Sequence, residues 1–263
     1  SLHATGAGGL RLNSSVNMLF SSANDFTVLS EYDVSIAGTV QNRGSGNTTV
    51  VGGWNPTNAP LADPLTGIIA DVDVAMDLIA VANSYGGNSA VVTVGSSSAP
   101  AAVGSFAGAT TVLGNAVNVL GSNTVAGGYA LIGTVPVAGI SRSGMITVLA
   151  QGGGVALQGG GAANAYTGIG HRSLAGIVSD ISGDIRVESL AGLTLQGGLG
   201  QYSYAQIGQG GYGRGLTGVA SGAITVMAKS GDIDVLAGPG SYGYAQIGNG
   251  GLREVTTSNT NHF

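Results

Sequence analysis

The sequence predicts an all-β protein with the architecture of a parallel β-helix, or β-solenoid, with glycine-rich corners and a repeat of about 39 residues. Three observations predict this fold: a phrase that returns along the chain, short runs in which apolar and polar residues alternate, and frequent glycine between these runs. A single unit of this kind cannot bury its apolar face alone, whereas stacked units bury a continuous core.

The repeat is most visible in a tyrosine-containing phrase. "SYAQIGQGG" begins at Ser203 and "GYAQIGNGG" begins at Gly243, and looser copies surround two earlier tyrosines. The tyrosines that share this position are spaced 37, 38 and 40 residues apart: Tyr129, Tyr166, Tyr204 and Tyr244. Four units therefore occupy about residues 109–251. Their period leaves open whether one unit forms one large coil or two smaller coils.

Within each unit the side chains alternate with the period of a β-strand. In "DIRVE" (Asp184–Glu188) and "DIDVL" (Asp232–Leu236) the apolar residues lie two apart with polar residues between them, as expected for a half-buried strand. Glycine marks the turns, because it adopts positive φ without a steric penalty. No segment has convincing helical spacing.

The first hundred residues follow the same pattern less regularly, so we expect an irregular N-terminal part over 1–100 and regular repeats over 101–251. A polar tail or end strand is expected over 252–263. Prolines interrupt the pattern at 56–66. We interpret this segment as a lateral loop of the solenoid, with a hinge between two blocks as the alternative.

Composition limits the classes of function. Hydrophobic residues make up 43% of the 263-residue chain and charged residues only 8%, a balance opposite to that of disordered proteins. The net charge is −5 and the 8 Lys and Arg are scattered, which argues against a nucleic-acid partner. No run of about 20 apolar residues predicts a transmembrane segment. The absence of cysteine excludes disulfide and thiolate chemistry.

Two motifs resemble cofactor or metal sites only superficially. "GQGGYG" (Gly208–Gly213) has the spacing G-x-G-x-x-G, but that motif binds dinucleotides only between a strand and a helix. Aspartates two apart on a strand share a face and could bind calcium; the sets are Asp71, Asp73 and Asp77, and Asp232 and Asp234. We interpret them as the solvated side of strands. We therefore expect no cofactor and no metal.

No constellation of residues predicts catalysis. β-Helices also host polysaccharide lyases and glycosidases, which need facing carboxylates or a base beside acids. Lys229 is the only lysine, and His171 in "GIGHRS" is the one histidine away from the ends of the chain. We expect His171 to be an incidental, exposed loop residue, and we assign no catalytic residue.

The repeated tyrosines are the candidate site. Tyr129, Tyr166, Tyr204 and Tyr244 could line one side of the solenoid as an aromatic stripe that stacks on sugar rings or on a neighbouring filament. The alternative is that they pack into the solenoid and expose only their hydroxyl groups. Further tyrosines lie in the same glycine-rich loops: Tyr202, Tyr212 and Tyr242.

The passages "DVSIAGTVQNRGSGNTTVVGGWNP" (Asp33–Pro56), "SGDIRVESLAGLTLQGG" and "YAQIGQGG" resemble the filamentous-haemagglutinin-like exoproteins and autotransporter passenger domains of Gram-negative bacteria. The resemblance implies a right-handed parallel β-helix, export to the cell surface, and a role in adhesion, biofilm or extracellular scaffolding. It implies no catalytic residues. Such proteins are usually far longer, so the resemblance implies a short relative or a piece of a longer protein.

These observations predict a non-catalytic extracellular structural protein, a surface adhesin or scaffold that acts through a repetitive surface. One alternative is a self-assembling filament or biofilm-matrix subunit that stacks head to tail, because neither terminus resembles a charged cap. A second is a carbohydrate-binding or carbohydrate-active β-helix. The expected partners are neighbouring subunits, met through the end coils, and host or matrix glycans.

Overall fold

The structure is a computed structural model that describes residues 1–54, 89–173, 179–211 and 219–251. These residues form twenty-one β-strands and no helix. The strands lie in three parallel sheets of seven strands each. The prediction of an all-β parallel solenoid is confirmed.

Each coil of the chain consists of three consecutive strands. The first three coils contain β1 (Leu2–Ala4), β2 (Leu10–Leu12) and β3 (Asn17–Phe20); β4 (Phe26–Ser30), β5 (Val34–Ile36) and β6 (Thr39–Asn42); and β7 (Thr48–Gly52), β8 (Val91–Gly95) and β9 (Ala101–Ser105). The next two contain β10 (Thr110–Gly114), β11 (Ala116–Leu120) and β12 (Ala130–Ile132), and β13 (Ile146–Ala150), β14 (Val155–Gln158) and β15 (Thr167–Ile169). The last two contain β16 (Ile185–Ser189), β17 (Leu193–Gln196) and β18 (Ala205–Ile207), and β19 (Ile224–Ala228), β20 (Ile233–Leu236) and β21 (Ala245–Ile247).

The three sheets run along the whole solenoid. Sheet A collects the first strand of every coil, sheet B the second and sheet C the third. Ile146 pairs with Ile185, and Ile185 pairs with Ile224, so each partner lies 39 residues further along the chain. One repeat is therefore one large coil. At about 4.8 Å between strands, the six steps between seven coils span roughly 29 Å.

The coils differ in circumference. Phe26 pairs with Thr48, a separation of 22 residues, so the second coil needs only three strands and short corners. The later coils have a longer stretch of chain between sheet C and sheet A, and we call its described residues the outer loops: 133–145, 170–173 with 179–184, and 208–211 with 219–223. Outer loops of successive coils also pair with one another, as at Arg142 with Ile181.

The segment between β7 and β8 contains the proline-rich stretch 56–66, which lies outside the described residues. Its flanking strands belong to the same coil. β7 pairs with β4 and β10, and β8 pairs with β5 and β11. The sheets therefore continue without interruption past this segment.

The core consists of the inward-facing residues of all three sheets. In sheet B, Leu157 of β14 lies in register between Val119 and Leu195, and all three are fully buried. Sheet B alternates between buried inward and partly exposed outward residues, whereas the central strands of sheets A and C are buried on both faces. The alternation seen in the sequence therefore describes sheet B best.

The glycine that follows the isoleucine in each repeated phrase is required for steric reasons. Gly133, Gly170 and Gly208 follow successive strands of sheet C with φ values of 137°, 143° and 150°. A Cβ atom at each of these positions would collide with the carbonyl oxygen of the equivalent glycine in the next coil. The "IG" of each phrase therefore combines an inward-facing isoleucine with a residue that allows two backbones to approach closely.

Replacing Leu157 by alanine should lower the free energy of unfolding by about 2–5 kcal/mol, because a fully buried side chain leaves a cavity in the middle of the sheet B ladder. Urea denaturation followed by circular dichroism measures this effect.

The matched control is Ala156→Thr at the neighbouring outward position, where the adjacent coils carry Asn118 and Thr194. This change should alter the unfolding free energy by no more than about 0.5 kcal/mol. Equal effects of the two substitutions would contradict the assigned register.

Candidate functional site

The four repeated tyrosines form a ladder along the corner that leads into sheet C. The centroids of Tyr129 and Tyr166 are 5.3 Å apart, those of Tyr166 and Tyr204 are 4.8 Å apart, and those of Tyr204 and Tyr244 are 4.7 Å apart. The interplanar angles are 16°, 2° and 5°. The sequence prediction that these residues line one side therefore corresponds to a stack of rings, one per coil.

Stacking determines which part of each ring is accessible. Tyr204 is buried and the other three rings are half-buried. Both faces of Tyr166 and of Tyr204 are covered by the tyrosines of adjacent coils. Burial raises the pKa of Tyr129 and Tyr166, so these phenols stay protonated at neutral pH. The inner rings therefore stabilise the coil stack and do not present a face to a sugar.

A second aromatic pair, of which one ring is exposed, lies on the same corner. Tyr202 and Tyr242 stack at 4.8 Å with an interplanar angle of 10°, and Tyr242 is 44% exposed. Both residues have positive φ values, 59° and 61°, at a position occupied by Gly127 and Asn164 in the preceding coils. Glycine and asparagine adopt this conformation readily, whereas a bulky residue rarely does. The corner therefore keeps two tyrosines on its outer side at a cost in backbone strain.

Arg172 lies in a buried polar compartment between sheet C and the outer loops. It is fully buried and donates hydrogen bonds to Gln206 Oε1 at 2.9 Å, to the Gln206 carbonyl at 2.9 Å and to the Gly208 carbonyl at 3.1 Å. Its guanidinium occupies the space that a Cβ atom of Gly168 would need. Gly168 thus makes room for this side chain at a position where the neighbouring coils carry Leu131 and Gln206.

Arg142 shares the compartment and is also fully buried. It donates to Ser179 Oγ at 2.8 Å and to the carbonyl of Arg172. Desolvation lowers the pKa of Arg142 to about 10, so its guanidinium remains charged at neutral pH. The two arginines therefore connect neighbouring coils through backbone, hydroxyl and side-chain amide acceptors, and each such charge-assisted bond is stronger than a neutral one.

His171 is buried in the same compartment, so the expectation that it is an exposed loop residue is wrong. Its Nε2 donates to the Gly144 carbonyl at 2.9 Å, and its Nδ1 accepts from Thr134 Oγ1 at 2.8 Å. Burial, together with the nearby arginines, lowers the pKa of His171 to about 4, although the bond to Gly144 acts in the opposite direction. The imidazole is therefore neutral at pH 7 and joins neighbouring coils.

The carboxylates of the described residues do not converge on a common site. Asp180 and Asp184 each accept a backbone N–H of the next coil, from Val219 at 3.0 Å and from Ala223 at 2.9 Å. Asp232 and Asp234 are exposed in the last coil. Asp71, Asp73 and Asp77 lie outside the described residues, as do Tyr212 and Gly213 of the glycine motif. Among the residues that the structure describes, no group of three or more His, Cys, Asp or Glu is placed to hold a metal ion.

A shallow pocket of about 220 Å³ lies beside the corner between the third and fourth coils. Ser97, Leu120 and Ser122 line it. The Ser122 hydroxyl donates to the Ser97 carbonyl at 3.0 Å and accepts the backbone N–H of Val125 at 3.0 Å. These hydrogen bonds therefore join the corner of the third coil to that of the fourth.

Sequence reasoning did not single out Arg142 and Arg172. A signal for Arg172 was present, because Gly168 in "YTGIG" departs from the "YALIG" and "YAQIG" of the neighbouring units. A small residue at one copy of a repeated position indicates that a large side chain from elsewhere fills the space. Only the three-dimensional arrangement shows that this side chain comes four residues later along the chain.

No helix within the described ranges is long and apolar enough to span a membrane. No family model, no curated protein and no solved structure matches this chain.

Replacing Gly168 by alanine should lower the free energy of unfolding by about 1–3 kcal/mol, because the new methyl group overlaps the buried Arg172 guanidinium. Gly8→Ala is the matched control, since no atom lies near the Cβ position there. Adding Arg172→Met to Gly168→Ala should recover part of the loss in a double-mutant cycle. Strictly additive effects of the two substitutions would refute the proposed overlap.

The stability of the protein should decrease as the pH falls from about 6.5 to about 4, because unfolded His171 binds a proton in this range and folded His171 does not. A pKa lowered from 6.5 to about 4 corresponds to a loss on the order of 3 kcal/mol. Urea unfolding at a series of pH values measures the slope.

His171→Gln should flatten this pH dependence, whatever its effect on the stability at neutral pH. His3→Gln removes an exposed imidazole and leaves His171 in place, so the decline should persist in that variant. An unchanged slope in His171→Gln would show that this histidine is not the group responsible.

Proposed function

We propose that this chain is a non-catalytic structural protein, an extracellular or cell-surface bacterial adhesin or scaffold that acts through a repetitive surface. One observation carries the proposal: seven coils stack in register, so that equivalent side chains form rows along the solenoid. A row of this kind offers a partner many similar contacts, which gives avidity without a single strong site.

The buried polar groups support a structural role. The guanidinium groups of Arg142 and Arg172 and the imidazole of His171 all hydrogen-bond to the fold itself. Catalytic acids and bases instead need a perturbed pKa together with access to a substrate. The pKa of His171 is perturbed, but the side chain is completely buried and has no access to a substrate. Its imidazole therefore helps to hold neighbouring coils together.

The outward row of sheet B is the surface best suited to contact. One residue of each coil lies in register along this row: Arg11, Ser35, Thr93, Asn118, Ala156, Thr194 and Asp234. The five central members are short and uncharged. Hydroxyl and amide groups on a flat sheet can exchange hydrogen bonds with polyhydroxylated chains, so the proposed partners are host or matrix glycans.

Beads coated with the chain should retain labelled polysaccharides of bacterial or animal origin without releasing new reducing ends. Thr194→Arg should reduce this retention, because a long cationic side chain interrupts the flat polar row. Thr225→Arg places the same side chain at an exposed position of sheet A and should leave retention unchanged. Each variant is checked for an unaltered unfolding midpoint.

Release of reducing ends, or of unsaturated sugar products, would overturn the non-catalytic role. Retention that is equally weakened by Thr225→Arg would argue against the sheet B row as the contact surface. Protease treatment of intact cells tests the location independently, since a surface protein is degraded under conditions that spare cytosolic ones.

A second candidate function is a filament or biofilm-matrix subunit that stacks head to tail. The observation that favours it is that inward-facing apolar residues are exposed in the first and last coils that the structure describes, among them Leu2 and Ile233. In general, strand edges beside exposed apolar residues favour the addition of further strands.

A further inference from the structure

We propose that the pocket at the corner between the third and fourth coils binds the N-acetyl group of an amino sugar. This inference deepens the glycan-contacting role proposed above and rests on it. The pocket is lined by residues 95–97 and 120–123, and we call it the corner recess. Its volume of about 220 Å³ is below the roughly 300–1,000 Å³ of pockets that enclose a whole drug-sized ligand. It therefore suits one substituent of a sugar whose ring lies against the sheet.

Two features of the backbone open the corner recess. Gly95 of β8 pairs with Leu120 of β11, so no side chain of the third coil covers the leucine from the paired position. The corner of the third coil, residues 96–100, is also shorter than the corner of the fourth, residues 121–129. A short corner beside a long one leaves a step in the surface. Both coils have further described coils on either side, so the recess belongs to the middle of the described solenoid.

The corner recess continues the outward row of sheet B. Every second residue of a strand lies on the same face, so Gly95 follows Thr93 and Leu120 follows Asn118 on the outward side. Leu120 is 37% exposed, whereas the next coil carries Gln158 at this position. A sugar held against the polar row therefore has an apolar contact beside it.

Two polar groups at the rim retain hydrogen-bonding capacity. Asn123 Oδ1 accepts the backbone N–H of Gly161 at 2.7 Å, and no described residue accepts from its Nδ2. Ser97 is exposed, and its hydroxyl group has no partner among the described residues. The Ser122 hydroxyl is already committed, because it donates to the Ser97 carbonyl and accepts two backbone N–H groups. The rim thus offers one amide donor and one hydroxyl group to a ligand.

An acetamido group has the complementary set of atoms: a methyl group, a carbonyl acceptor and an N–H donor. In the proposed complex the methyl group packs on Leu120, the carbonyl oxygen accepts from Asn123 Nδ2, and the N–H donates to Ser97 Oγ. A hydroxyl group in place of the acetamido group leaves the leucine uncovered and one polar group without its partner. An ionic substituent is disfavoured, since no charged side chain lines the recess.

The test compares two oligosaccharides that differ in this substituent alone. Chitotetraose carries an acetamido group on each ring, and cellotetraose carries a hydroxyl group there. Titrations of the isotope-labelled 263-residue chain, followed by two-dimensional NMR, measure both affinities and locate the site. Chitotetraose should bind at least about tenfold more tightly than cellotetraose. It should also shift the backbone amide signals of residues 95–97 and 120–123.

Two variants and a matched control assign the contacts. Leu120→Gln introduces the residue that the next coil carries and should weaken chitotetraose binding about tenfold. Asn123→Asp keeps the oxygen that accepts from Gly161 and removes the donor, so it should also weaken binding. Leu199→Gln makes the first change at a leucine that is 70% exposed in the corresponding corner of the sixth coil, and should leave binding unchanged. Circular dichroism of each variant checks that the fold is retained.

N-acetylated sugars occur in both host and matrix glycans, and competition distinguishes the two sources. N-acetylated polysaccharides purified from animal mucus and from a bacterial biofilm matrix are each added to the labelled chain with chitotetraose bound. Displacement of chitotetraose by either polysaccharide supports the proposal and identifies the source. Displacement by neither, with acetamido groups in excess over chitotetraose, counts against it.

The remaining outcomes separate the corner recess from the broader glycan-contacting role. Equal affinities for the two tetrasaccharides, or binding of neither, overturn the recess as an acetamido site. So do amide shifts confined to other parts of the solenoid, or unchanged binding in Leu120→Gln. In each of these cases, retention of polysaccharides on beads that still depends on Thr194 leaves the broader role standing.

Discussion

The structure depends on the in-register stacking of parallel strands from successive coils. Every strand of an interior coil receives its hydrogen bonds from the coils on either side, and every inward-facing residue covers its equivalent below. No coil is stable by itself, because its apolar face and its strand edges would be exposed. Stability is therefore shared between neighbours, and the interior coils are the ones whose residues are fully buried.

The spacing between coils determines which types of residue fit at the corners and in the buried polar compartment around Arg172. At the exit from sheet C, backbones approach so closely that a side chain at Gly170 would collide with the carbonyl of Gly208. At the entry to sheet C, the same spacing suits stacked aromatic rings, with 4.8 Å between Tyr166 and Tyr204. Beside sheet C, the guanidinium of Arg172 occupies the space that a side chain at Gly168 would need. One constraint thus favours small residues, flat residues and long cationic residues at different points of the same coil.

The same constraint explains why the candidate site is a surface rather than a cleft. Equivalent residues lie in rows, so the outward face of sheet B presents repeated short side chains, and the buried titratable groups join neighbouring coils. The ends of the rows differ from their middles, because Arg11 and Asp234 carry the only charges of the sheet B row.

The sequence by itself determined the fold class, the four regular units and the alignment of the tyrosines, because short-range alternation and repetition are direct consequences of stacking. Tertiary structure alone decided that one repeat is one coil. A coil of 22 residues and a coil of 39 residues each contain three strands, so the length of a repeat does not reveal how many coils it forms. It also decided that His171 and both arginines are buried, because the sequence around them carries no periodic apolar signal. Burial of polar residues depends on which chain segment lies across them, and linear order does not contain that information.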